Sequence, residues 1–251
     1  MITPPLFYRN ITPLNRKRHQ DLFMEPITSH DFARGINSVV LLAAEFPAAC
    51  KEYPIVFVED AGKYFSAAIV GLADAENLFL TRNGSESRWQ ARYIPAYVRR
   101  YPFIPATGQE GSELTVCIDE GYAGFNRDGR GEALFRDDGS LGPLLERAVG
   151  FLQNFQAQHQ STVDFCAKLN GLGLLEPMRA DGEFKSGERF SLGGFFVINR
   201  PRFTALDSEK IMNLFKQNEL ELIYAHLFSL SNFERLLDLK KQSKALLGLT
   251  S

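Results

Sequence analysis

Residues 143–155, PLLERAVGFLQNF, decide the fold class of this 251-residue chain. Leu144, Leu145, Ala148, Val149, Leu152 and Phe155 recur at the spacing of one helical face, and Glu146, Arg147, Gln153 and Asn154 take the other. A further helix start is read at Ser161 with Asp164, and a stop at Gly171.

Upstream the period is that of strands. Residues 1–30 read as an irregular arm, interrupted by Pro4, Pro5, Pro13 and Pro26. Val39–Leu42 reads as a buried strand, followed by a short helical piece over Phe46–Glu52. Ile55–Val58 and Tyr64–Leu72 flank the turn Asp60-Ala61-Gly62-Lys63, which predicts an antiparallel hairpin. Asn77–Thr81 reads as a strand before an Asn83-Gly84 turn, and Leu114–Asp119 as another strand. Pro95 opens a short helix over Pro95–Tyr101, which Pro102 ends because the residue before proline avoids the α region.

Downstream, the glycine-rich run Ser191–Ile198 reads as a strand in its second half, with Gly193-Gly194 as a kink or close backbone approach. Asp207 caps a helix to about Gln217, Asn218 ends it, Glu219–Phe228 forms the next, and Ser231 with Glu234 starts a third. The fold expected is α+β, a mainly antiparallel β N-terminal half packed with a helical C-terminal half. The expected organisation is one domain with a β-rich lobe, 1–138, and an α-rich lobe, 139–251.

Composition narrows the function. The formal net charge is −2, from 28 Lys and Arg against 30 Asp and Glu, which argues against a general nucleic-acid binder. Glu219–Phe228, as the second of a helix pair, carries Glu219 and Glu221 where a DNA-recognition helix needs donors. Arg16-Lys17-Arg18 reads as a solvated surface run. Cys50, Cys117 and Cys166 are scattered, with no CxxC pair, as expected of reduced thiols in a cytoplasmic protein. MITPPLFYRN has no apolar h-region, and no apolar run is long enough for a membrane span. Twenty-one Phe imply a large aromatic core.

The sequence offers little catalytic machinery. It has no GxSxG elbow, Walker sequence, GxGxxG or HExxH, and no metal site or cofactor is expected. Asn126–Gly131 fails as a calcium loop because Arg130 stands where a ligand oxygen is needed, so a polar turn is expected. His30, Asp31, His159 and His226 are the ligands a metal-dependent enzyme would have to draw on, although His226 on an apolar helix reads as a core residue.

What stands out is Trp89–Phe103, WQARYIPAYVRRYPF, with five aromatics, three arginines and two prolines. Two roles fit it. In one, the rings pack as a core turn and the arginines satisfy buried acceptors. In the other, Trp89, Tyr93, Tyr97 and Tyr101 hold a peptide or sugar ring while Arg92, Arg99 and Arg100 bind an anion through forked hydrogen bonds.

With EYPIVF (Glu52–Phe57), Gly71–Phe79, the aromatic–arginine stretch, the Gly131–Gly139 pattern and LIYAHLFSLSNFERL (Leu222–Leu236), the chain resembles the SapC family of bacterial proteins over most of its length. The resemblance implies a link to the bacterial surface layer and to serum resistance. It also implies a setting beside tryptophan-halogenase-like proteins and TonB-dependent outer-membrane receptors, and it carries over no catalytic residues. The expectation is a non-catalytic binding or accessory protein for a peptide, a small anionic ligand or a partner such as a halogenase-like enzyme. The alternative is a metal-dependent enzyme acting beside that partner.

Overall fold

The computed structural model describes residues 6–83, 86–106, 115–183 and 189–246. Antiparallel sheets occupy the N-terminal half and helices dominate the C-terminal half. The chain divides into two compact units that interleave in sequence. One is built from Met1–Ala33, Arg82–Arg88 and Val98–Ala157, the other from Arg34–Thr81, Trp89–Tyr97 and Gln158–Ser251. Each therefore draws on residues from both sides of position 138.

The second unit is organised by a five-stranded antiparallel sheet, in the order Leu175–Glu183, Arg189–Ile198, Ile55–Asp60, Lys63–Ile69, Ser38–Val40. Ile55, Val56 and Phe57 are fully buried, as a continuous apolar run in a central strand should be. The expected hairpin forms, with Asp60 opposite Lys63. The helix Glu219–Ser229 packs on it: the His226 ring lies 5.0 Å from Phe57, and the Ser229 hydroxyl accepts the Ile55 N–H at 2.9 Å. The Gly193-Gly194 kink is a bulge. Met178 faces Phe195 and Ala180 faces Leu192, so two glycines oppose Arg179, and Gly194 takes φ +80°. The strand Leu175–Glu183 that completes this hairpin was not expected from the sequence. It alternates poorly because it is a sheet edge interrupted by Pro177.

The first unit holds two small sheets. Thr115–Asp119 pairs with Ile11–Pro13 on one side and Phe103–Ala106 on the other. Phe23–Met24 is flanked by Phe125–Asn126 and Glu132–Ala133. A core including Leu22, Phe103, Ile118, Leu134, Leu145 and Leu152 fills the space beneath. The supposed arm is thus partly sheet. Ile11 is exposed and gives no apolar alternation; the backbone pairing holds it, together with Asp119, whose buried carboxylate accepts the N–H groups of Arg9 and Asn10 at 3.1 and 2.9 Å.

The helix that opens at Pro143 runs unbroken to Gly171, 29 residues. Ser161 is therefore an interior position and not a start. Phe165, Cys166 and Leu169 are buried at helical spacing, and Thr162 beside it donates back to the Gln158 carbonyl at 2.7 Å. Asp207 caps Ser208–Lys216 by accepting the Lys210 N–H at 2.9 Å, and Asn218 turns the chain at φ +58°. The helix Asn232–Leu246 begins where expected, but the Ser231 hydroxyl bonds to the Phe228 carbonyl at 2.9 Å. Asn126 organises the polar turn: its side-chain oxygen accepts the N–H groups of Asp128 and Arg130 at 3.1 Å each. Gly84 lies outside the described residues. Among the described residues, no helix is long and apolar enough to cross a membrane.

Candidate functional site

The aromatic–arginine stretch is divided between the two units, with Trp89–Tyr97 in the second and Val98 onward in the first. Trp89, Tyr93, Tyr97 and Tyr101 stand at every fourth position, but the helix here is only Ala96–Arg99.

In the second unit the stretch is held by its polar groups. The Trp89 indole N–H donates to the Tyr53 hydroxyl at 2.7 Å, and that hydroxyl donates to the Tyr93 carbonyl. The Tyr93 hydroxyl donates to Glu45 at 2.6 Å, and the same carboxylate oxygen accepts the Ala96 N–H at 2.7 Å. The second Glu45 oxygen accepts the Leu42 N–H at 2.7 Å. Glu45 is buried and so has its charge spread over three donors. Burial pushes the Tyr53 hydroxyl well above its usual range. Trp89 also stacks on Phe79, with ring centroids 6.4 Å apart. Tyr97 is buried and Arg92 exposed. Of the proposed ligand contacts, Trp89, Tyr93 and Tyr97 are thus packed within the second unit.

In the first unit Arg99, Arg100 and Tyr101 come together at the wall of a cleft of about 370 Å³. Met24–Ile27 form a second side, with Phe103 beside Tyr101 and Glu132 on the adjoining strand. The long helix supplies the third side through Leu144, Arg147, Ala148, Phe151 and Leu152, the i, i+3, i+4, i+7, i+8 pattern of one helical face. Arg147 belongs to this face, although the sequence pattern assigns it to the polar side of the helix.

The two neighbouring arginines differ in setting. Arg99 is exposed, with its guanidinium carbon 5.3 Å from the Phe151 ring centroid. Arg100 is 7% exposed and lies 4.8 Å from the Phe155 centroid and 5.7 Å from that of Tyr8. Tyr101 is buried among Phe32, Tyr8 and Tyr122. Burial first, then the Asp119 carboxylate beside it, push its hydroxyl above the usual range. At the rim one Arg147 nitrogen meets both Glu132 oxygens at 2.8 Å, and Glu25 meets Arg130 at 3.0 Å.

The lining holds no serine, cysteine, histidine or lysine among the described residues. It presents apolar side chains and guanidinium groups, together with the carboxylates of Glu25 and Glu132. Glu132, Arg147, Phe151 and Ile27 were missing from the residues expected to bind. Leu144, Ala148 and Leu152 carried a signal as the helical face, whereas Glu132 is placed by strand pairing far along the chain and Ile27 lies in the irregular segment after the strand Phe23–Met24. A hollow of about 680 Å³ in the second unit is lined in part by paired charges: Lys168, which meets Glu219 at 2.6 Å, and Lys210, which meets Asp207 at 2.7 Å.

The residues named for a metal enzyme occupy separate surroundings. Asp31 accepts the Ser87 hydroxyl at 2.6 Å, and the neighbouring His30 ring lies 5.9 Å from Phe32. His159 stacks on Phe65 at 6.3 Å. His226 is fully buried, and its Nε2 accepts the Ile198 N–H at 3.0 Å. Among the described residues, no group of three or more His, Cys, Asp or Glu is placed to hold a metal ion.

No curated protein and no solved structure matches this chain. The SapC family model matches residues 14–236, most of the sequence, and the protein belongs to the SapC family.

Proposed function

We propose that the protein is a non-catalytic binding or accessory protein that captures a small anionic ligand, or the anionic end of a peptide, in the cleft of its first unit. The observation that carries this reading is Arg99, a solvent-exposed guanidinium at the wall of a mostly apolar cleft, lying over the face of Phe151. A guanidinium carries five N–H donors in one plane, so packing over a ring is compatible with adding an acceptor in that plane, and apolar walls strengthen such a contact by excluding water. The cleft lies within the size range of small-molecule sites. Its lining lacks serine, cysteine, histidine and lysine, which favours capture over chemistry by those groups.

Anilinonaphthalene sulfonate, an aromatic body with a fixed negative charge, is the probe. The full chain should enhance its fluorescence, and Arg99→Ala or Phe151→Ala should each weaken binding severalfold while the protein stays folded. Binding unaffected by either substitution would remove the cleft from consideration.

A further inference from the structure

Four of the eight large apolar side chains exposed among the described residues lie on two consecutive helices. Met212 and Phe215 stand on Ser208–Lys216 at 50% and 63% exposure, and Tyr224 and Phe228 on Glu219–Ser229 at 42% and 64%. The two helices pack against each other. Each also has a covered side, with Leu214 buried on the first and Ile223, Ala225 and His226 on the second. The exposed residues are therefore apolar surface that the packing of the unit does not use. Tyr224 and Phe228, one helical turn apart, stack with their ring centroids 6.1 Å apart.

The charges on the first helix are ordered. Glu209, Met212 and Lys216 follow the i, i+3, i+7 spacing of one helical ridge, all three are exposed, and all three border the same hollow. The acid and the base are seven residues apart, about 10 Å along the axis, with the methionine between them. Turned end for end, the same ridge presents base, methionine, acid. A second copy laid antiparallel across it sets Glu209 against Lys216 twice, with the two Met212 side chains near the axis. A copy laid parallel sets like charges together. One charge of each sign suits this self-pairing better than it suits an anionic lipid surface or a partner of single sign.

The area agrees with such a partner. At about 200 Å² per large side chain, the four exposures leave on the order of 400 Å² of apolar surface. Each side of a standard interface contributes about 800 Å², a little over half of it apolar. The four side chains account for that apolar part, and Glu209, Asn213, Lys216 and Glu221, all exposed on the same two helices, add polar area.

We infer that the helix pair Ser208–Lys216 and Glu219–Ser229 is a homodimer surface, on which a second copy of this chain packs antiparallel about a two-fold axis near Met212. Because each copy uses the same patch, assembly stops at the dimer.

Sedimentation velocity on the full chain from roughly 1 to 100 µM is the test. A monomer–dimer equilibrium with a Kd in the micromolar range is expected. Met212→Glu and Phe228→Glu should each weaken it tenfold or more, at positions exposed enough to leave the circular dichroism and urea midpoint of the monomer unchanged. Glu209→Lys and Lys216→Glu should each weaken it severalfold, because each sets like charges face to face, and the double reversal should restore the parent Kd. A chain that stays monomeric throughout, a dimer indifferent to either apolar substitution, or a double reversal no better than the single ones overturns the inference. A monomer that instead floats with phosphatidylglycerol-containing vesicles, and loses this with Phe228→Glu, gives the face to a lipid surface and overturns it as well.

Discussion

Arg100 lies over the ring of Phe155, its guanidinium carbon 4.8 Å from the centroid, and almost none of the residue reaches solvent. Its sequence neighbour Arg99 is exposed over Phe151. The Arg-Arg pair therefore divides one residue type between two settings, one buried and one exposed. Arg100→Ala would remove a buried aliphatic stem and two ring contacts, and should cost about 2–3 kcal/mol. Arg99→Ala should stay within about 0.5 kcal/mol. Urea unfolding of the two variants measures the contrast; equal losses would count against the division.

Glu45 links the Leu42 turn to the Tyr93–Ala96 segment through three hydrogen bonds in a buried setting. Glu45→Ala strands those donors and should cost about 3 kcal/mol, whereas Glu45→Gln keeps one acceptor oxygen and should cost less. The chain has one tryptophan, and Trp89 is connected to Glu45 through Tyr53 and Tyr93. Its emission is therefore a local reporter. A red shift in native Glu45→Ala is expected, and an unshifted spectrum with full stability would show that the chain of hydrogen bonds is dispensable.

The elements that were legible in the sequence are those whose side chains carry a period or a turn. The helical face Leu144–Phe155 and the hairpin around Asp60–Lys63 repeat their signal over many residues, so one exception does not erase it. Ile11–Pro13 was not legible because its side chains face outward and its pairing energy lies in backbone groups that every residue has. Ser161 misled because a local capping pattern says nothing about the buried positions that continue the helix past it. At the site, composition singled out Arg99, Arg100 and Tyr101. Trp89 and Tyr93, from the same stretch, are packed in the second unit, a division that composition does not mark. Glu132 reaches the cleft through pairing of its strand with Phe23–Met24, more than a hundred residues earlier, which leaves no local trace.

His226 gives a pH dependence with a definite sign. It is fully buried, and burial lowers its pKa from the ordinary 6.5 to about 3. Its Nε2 is occupied as an acceptor from Ile198, which requires the neutral ring. Between those two values the unfolded chain binds a proton that the folded chain does not, so stability falls as pH drops through that window. The contribution of this residue is at most about 1.4 kcal/mol per pH unit. It is fully present above about pH 6.5. His226→Gln should be less stable at neutral pH and should show a shallower acid dependence. Parallel curves for the variant and the parent from pH 7 to pH 4, measured by urea unfolding, would assign the acid sensitivity elsewhere.

Gly131 connects the fold to the cleft. It has φ +89°, and a β-carbon there would stand 2.1 Å from the Met24 carbonyl oxygen. The next residue, Glu132, pairs with Met24, and both line the cleft. Gly131→Ala must therefore push the two strands apart as well as strain the backbone, and should cost about 2–4 kcal/mol. Gly129 has φ +77° with nothing near its β position, so Gly129→Ala isolates the backbone strain and should cost about 1 kcal/mol. The separation of Met24 from Glu132 should also distort the cleft, so anilinonaphthalene sulfonate affinity should fall severalfold in Gly131→Ala and hold in Gly129→Ala. Similar ligand affinity in both variants, with both folded at the assay temperature, would mean that the spacing of these strands does not shape the binding site.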